Sequence, residues 1–173
     1  MNFPKRKIAG IAATVLLCIS ATLAVQSPAS AAVSGPYRII VPGSNTCLDV
    51  RDVSSANGAY VQLWTCLPYQ YNQQFYLYEA GQAWRYQIVA AHSSRCLDVK
   101  DVSQAEGAHI QQWDCLGWGQ TNQLFDDVDA GAGDSLLKAV HSGKCISYYL
   151  PVTQGTDTIQ FSCYTKLRIV PWT

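Results

Sequence analysis

After residue 33 the chain has no long apolar run, no amphipathic stretch of helical period and no cluster of Lys or Arg. It also lacks a C-x-x-C pair, a histidine at zinc-ligand spacing, and the G-x-S-x-G and H-E-x-x-H motifs. Each absence excludes something. Without a basic cluster there is no electrostatic footprint for nucleic acid or for an anionic membrane. Without ligand spacing there is no zinc site, and without those motifs there is no recognisable nucleophile or metal hydrolase. Without helical periodicity the fold is not built on helices. Charged residues are scarce, at 14%, yet 49% of the 173 residues are apolar, which is the composition of a globular domain.

The one long apolar run spans Ile8 to Val25, behind Lys5, Arg6 and Lys7 and ahead of Ser27-Pro28-Ala29-Ser30-Ala31-Ala32. A basic start, an apolar middle and a small-residue end predict a secretory signal peptide over 1–32, cut after Ala31 or Ala32. The run also reaches the length of a membrane anchor. The A-x-A ending favours removal. Leu17 precedes Cys18 where a lipoprotein signal needs a small residue, so Cys18 falls in the discarded segment. Residues 33–173 then form one domain, free of the membrane, with nine basic and twelve acidic side chains and six cysteines. An even cysteine count in a secreted chain predicts disulfides and an extracellular location.

What the chain does contain is a repeat. Cys47-Leu48-Asp49-Val50 returns 49 residues later as Cys96-Leu97-Asp98-Val99. Val61-Gln62-Leu63-Trp64-Thr65-Cys66 returns as Ile110-Gln111-Gln112-Trp113-Asp114-Cys115, also 49 later. Asn72-Gln73-Gln74-Phe75 returns 50 later as Asn122-Gln123-Leu124-Phe125. A worn third copy holds Cys145-Ile146-Ser147 and Ile159-Gln160-Phe161-Ser162-Cys163, with Trp172 nine residues beyond Cys163 as Phe75 is beyond Cys66. The repeats run over about 35–83, 84–133 and 134–173. Six cysteines permit 15 pairings. Equivalent pairs must occupy equivalent places, so the repeat predicts Cys47–Cys66, Cys96–Cys115 and Cys145–Cys163.

Runs such as Tyr37–Val41, Tyr60–Trp64, Phe75–Tyr78 and Tyr86–Val89, split by Gly- and Asn-rich turns, predict about four short strands per copy. The expected fold is all-β, with three units closed about a threefold axis. Leu48, Leu97 and Ile146, then Val61, Ile110 and Ile159, then Phe75, Phe125 and Trp172 are its expected shared core.

C-L-D-V followed by Q-x-W-x-C and N-Q-x-F resembles the ricin B-chain-type lectin domain, and is similar to the family 13 carbohydrate-binding modules. The likeness covers about 35–173. It implies a β-trefoil that binds galactose or xylose units without catalysis, as a monomer and with no cofactor. It implies a site of Asp49, Gln62, Trp64, Asn72 and Gln73 in the first repeat. The second would hold Asp98, Gln111, Trp113, Asn122 and Gln123. A pyranose offers an apolar face to an indole and a hydroxyl rim to carboxylate and amide groups. Tyr69, Tyr71 and Trp118 are expected as loop aromatics near these sites.

In the third copy the polar set is lost. Ser147 is read in place of Asp, Ser162 of Trp, Ile169 of Asn and Val170 of Gln, so no sugar site is expected there. Asp126-Asp127-Val128-Asp129 with Gly131 and Gly133 lacks the closing Glu of a calcium loop and reads as an acidic hairpin. His92 and His141, each four before a repeat cysteine, read as equivalent loop residues and not as metal ligands. Two other functions stay open. A trefoil can inhibit a protease through its loops, and a hydrolase can rest on a carboxylate pair, although Asp49 and Asp98 belong to separate lobes.

Overall fold

The computed structural model describes residues 32–172. The expected leader, with its apolar run and Cys18, lies outside the described residues. Strand-forming runs of four to eight residues give β1 (Val33–Ile40), β2 (Thr46–Val50), β3 (Val61–Thr65), β4 (Phe75–Glu79), β5 (Arg85–Ala90), β6 (Cys96–Val99) and β7 (Ile110–Trp113). They are followed by β8 (Phe125–Asp129), β9 (Ser135–Ala139), β10 (Cys145–Ser147), β11 (Thr156–Asp157), β12 (Ile159–Phe161) and β13 (Arg168–Pro171). No helix among the described residues is long and apolar enough to cross a membrane.

Six strands form a barrel. β1 pairs β4, β4 pairs β5, β5 pairs β8 and β8 pairs β9. β13 pairs β1 from Tyr37↔Pro171 to Ile40↔Arg168, and a bridge between Ser135 and Leu167 closes the ring. Three hairpins, β2–β3, β6–β7 and β10–β12, cap one end. They are stitched to one another by β11 on β3 and by the bridges Tyr60↔Gln111 and His109↔Ile159. This is a β-trefoil. Closure leaves the barrel strands few free edges, which is how an all-β fold avoids edge-to-edge association. Disulfides Cys47–Cys66, Cys96–Cys115 and Cys145–Cys163 tie each cap hairpin to the loop that follows it.

Leu48, Leu97, Ile146, Val61, Ile110, Phe75 and Phe125 lie fully buried in one central cluster. Removing each such side chain from water is worth about 1.5–3 kcal/mol. Of the other two expected members, Ile159 is buried but at a shifted register, and Trp172 gives way to another residue. Phe75 pairs with Tyr37 and Phe125 with Tyr86, and the third such pair is Leu167 with Ser135. Leu167, and not Trp172, therefore fills the third core position. Trp172 is half-buried, with the Arg38 guanidinium 3.9 Å above its ring. The loop after Cys163 is simply shorter than its counterparts, so counting from the cysteine overshoots.

The second correction is a shift of one residue on β12. Cys47 pairs with Trp64 and Cys96 with Trp113, whereas Cys145 pairs with Phe161. Phe161 thus takes the Trp position, Ile159 the Gln62 position and Thr158 the Val61 position. Thr158 is fully buried; its hydroxyl donates to Val61 O at 2.8 Å, which satisfies its polarity in the core. Gln160 corresponds to Gln112. Each donates to two carbonyls of the preceding repeat, Ser54 and Ala56 for Gln112, Ser103 and Ala105 for Gln160. Each also accepts a 2.7 Å bond from a serine, Ser93 or Ser142. Gln160 is a seam between repeats.

Candidate functional site

Asp49 sits on β2 opposite Gln62 of β3, and Asp98 on β6 opposite Gln111 of β7. In both repeats the carboxylate is the hub of an amide network. Asp49 Oδ1 accepts from Gln62 Nε2 at 3.0 Å, and Oδ2 accepts from Asn72 at 2.8 Å and Gln73 at 3.0 Å. For Asp98 the same donors, Gln111, Asn122 and Gln123, stand at 3.0, 2.9 and 3.0 Å. The two aspartates are only 5% and 4% exposed. Burial pushes both carboxyls above the ordinary carboxylate pKa, and the amide donors pull back against it. A carboxylate offers about four lone-pair positions. Three are taken, so one acceptor position, on Oδ1, is left for a ligand.

The network also fixes which amide atoms are free. Each Asn donates both amide hydrogens, one to the carboxylate and one to a carbonyl, Val50 O or Val99 O. Those partners only accept, so the Asn carbonyl oxygen faces the other way. Gln73 and Gln123, expected at the saccharide, are corrected here. Both are fully buried; each amide donates to an aspartate and to a backbone carbonyl, and its oxygen accepts from Leu67 N or Leu116 N. Nothing remains with which to touch a ligand, and their work is to orient the carboxylate. Gln62 and Gln111 are buried as well, but each keeps one amide hydrogen and lines its pocket.

Above each hub is an open pocket. The first, about 320 Å³, is lined by Asp49, Arg51, Gln62, Trp64, Gln70 and Asn72 among others. The second, about 180 Å³, is lined by Asp98, Asp101, Gln111, Trp113, Gln120 and Asn122 among others. Trp64 is half-buried and Trp113 exposed, so each pocket has an accessible indole beside a fixed polar group. The rims repeat as well. Asp52-Val53 and Asp101-Val102 adopt left-handed backbone with φ between 51° and 59°. This is a costly conformation for a β-branched residue, and such strain concentrates at binding sites. These rim residues are not among the expected site residues, although they follow closely on the repeated Cys47–Val50 and Cys96–Val99 blocks. Leu67 and Leu116, and not Tyr69, Tyr71 or Trp118, supply the apolar loop side chain of each pocket.

The two pockets differ in their cations. Arg51 lines the first; it donates to Gln62 Oε1 at 2.9 Å and pairs with Asp157 of the third repeat at 2.6 Å. Its counterpart Lys100 turns away to the Tyr60 hydroxyl at 3.0 Å. In the third repeat Ser147, Ile159, Phe161, Tyr164 and Thr165 hold the places of Asp, Gln, Trp, Asn and Gln. No carboxylate is present, and Ser147 meets Thr165 at 2.6 Å. His92 and His141 each contact a carbonyl of the preceding repeat, Ser54 O or Ser103 O, at 2.8 Å. A further cavity, about 460 Å³, lies between Trp84 and the acidic β8–β9 turn, away from both hubs and without the repeated set.

The chain matches the family model described as ricin-type beta-trefoil lectin domain-like, over residues 27–113 and 71–161. It is similar to a designed threefold-symmetric protein, ThreeFoil, at 31% identity and a TM-score of 0.74, over 80% of this chain and all of that one. It is also similar to an exo-β-1,3-galactanase from Clostridium thermocellum, at 29% identity and a TM-score of 0.73; 80% of this chain is covered, against 30% of the galactanase. A lectin from Polyporus squamosus, solved bound to a human-type influenza-binding epitope, shares the fold at 16% identity and a TM-score of 0.66, over 83% of this chain and 50% of that one. Among curated proteins none matches.

Proposed function

The chain belongs to the ricin-type β-trefoil lectin domain-like family, and from that membership we propose that it is a secreted, non-catalytic, monomeric saccharide-binding protein with two working pockets. Its ligands are galactose- or xylose-type units of a glycan or polysaccharide. One observation carries the reading. The hub of Asp, Asn and Gln and the accessible indole occur together in two repeats, and the carboxylate, amides and indole are lost together from the third, where the barrel core persists.

In this reading the indole covers the apolar face of the sugar. Asp Oδ1 and Asn Oδ1 accept from adjacent hydroxyls, and the spare amide hydrogen of Gln62 or Gln111 donates. Each pocket is shallow and wet, and two on one rigid body gain avidity on a multivalent surface. Three disulfides suit an oxidising compartment. The leader over 1–32 directs the chain there.

The test is a glycan array on the secreted protein, then titration with D-galactose, lactose and xylobiose. Trp64→Ala and Trp113→Ala are each expected to halve the bound ligand at saturation. The double variant, checked for folding by near-ultraviolet circular dichroism, is expected to bind nothing. Saccharide binding that survives in the folded double variant overturns the reading.

A further inference from the structure

The two pockets treat one buried atom differently. Asn122 Oδ1 accepts a 2.8 Å hydrogen bond from Gln120 Nε2. Asn72 Oδ1, its counterpart, is buried with no hydrogen-bond partner among the described residues, on a side chain only 3% exposed. A buried carbonyl oxygen left unpaired is costly, so in the first pocket a ligand hydroxyl gains a full hydrogen bond there. In the second pocket the same hydroxyl competes with the Gln120 amide, which already holds one of that oxygen's two acceptor positions.

The cause lies in the loops. Gln70 stands two residues before Asn72, as Gln120 stands two before Asn122, and both line their pockets. The second loop has one more residue between its cysteine and its Asn, with Gly117 and Gly119 in it. Gln70 and Gln120 share φ −89° but differ in ψ, 102° against 86°. Gln120 reaches its Asn, and Gln70 makes no such bond among the described residues. The second pocket is also the smaller, about 180 Å³ against 320 Å³.

We propose that Gln120 is a latch: by donating to Asn122 Oδ1 it holds the second pocket below the first in saccharide affinity. The inference rests on the saccharide-binding reading above. Competition with a neutral hydrogen bond lowers affinity by about two- to tenfold.

The indole N–H resonances of Trp64 and Trp113 report the two pockets separately in one sample. The wild-type protein is titrated with D-galactose, lactose and xylobiose, and the midpoints of the two resonances are compared. Trp64 is expected to respond at about two- to tenfold lower concentration than Trp113. Gln120→Ala and Gln120→Met are each expected to bring the Trp113 midpoint down towards that of Trp64, with Trp64 unchanged. Equal midpoints in the wild type overturn the latch, as does a Trp113 midpoint that neither variant moves. A shift with Ala but not with Met assigns the effect to bulk and overturns the hydrogen-bond latch. Silence of both resonances with every sugar strikes the saccharide reading itself, and the latch falls with it.

Discussion

Ser147 and Thr165 share a hydroxyl–hydroxyl hydrogen bond of 2.6 Å in the place where Asp49 meets Gln73. One neutral bond thus stands where the other repeats keep a buried carboxylate with three amide donors. The third hub therefore retains its mechanical role and gives up its charge.

That difference predicts unequal costs of truncation. Asp49→Ala leaves the donors of Gln62, Asn72 and Gln73 without their acceptor in a buried place, and is expected to cost about 2–4 kcal/mol. Ser147→Ala removes one neutral bond and is expected to cost about 1 kcal/mol. Urea unfolding of the two variants checks the order, and equal costs would contradict the hub.

The buried carboxyls set a pH dependence. Both are held above the ordinary value, burial being the main cause. Saccharide binding needs the ionised form, so it is expected to fade on acidification at a pH above the ordinary carboxylate midpoint of about 4. Stability runs the opposite way. A carboxyl whose pKa is raised on folding adds stability below its unfolded value, and that contribution is lost as pH rises through the folded value. Compared with Asp49→Asn, the wild type should gain stability as pH is lowered towards about 4. Denaturation of both proteins across that window reads the difference, and a wild type that loses ground on acidification refutes the assignment.

Gln160→Ala should behave as a structural lesion only. It strips Ser103 O, Ala105 O and Ser142 Oγ of a shared partner at the seam between repeats two and three. The expected loss is about 2–3 kcal/mol, with sugar affinity unchanged in the surviving folded protein. A fall in affinity without a fall in stability would place Gln160 in a site after all.

The disulfides close loops of nearly equal length, with separations of 19, 19 and 18 residues. Replacing either end pair by Ser is expected to cost about 3 kcal/mol in each repeat, by the chain-entropy account. Thermal melts of the three double-Ser variants should cluster. A bridge whose loss costs nothing would mark a loop already held by its other contacts.

The threefold repeat, the β-trefoil and seven of nine shared core positions were legible in the sequence, because Cys-Leu-Asp and Gln-x-Trp recur at a fixed interval. The third repeat departs from the sequence pattern for a physical reason. Gln160 matched Gln62 by residue type, yet the 18-residue cysteine spacing already implied a one-residue deletion, and counting back from Cys163 puts Gln160 at Gln112. Leu167 was hidden because the length of a surface loop carries no information about register, which is fixed by Tyr37, Tyr86 and Ser135 across the barrel. The enclosed role of Gln73 and Gln123 was hidden too, since composition does not tell an amide aimed at a ligand from one aimed at a carboxylate. Asn72 and Asn122 looked equivalent because Gln70 and Gln120 are the same residue type; only the longer second loop separates them.

The barrel is completed by β13 lying along β1, the last described strand against the first. A growing polypeptide therefore cannot close this vessel early, although its other walls need nothing from the last strand. Until Arg168–Pro171 has left the ribosome, Tyr37–Ile40 must wait without a neighbour on that side.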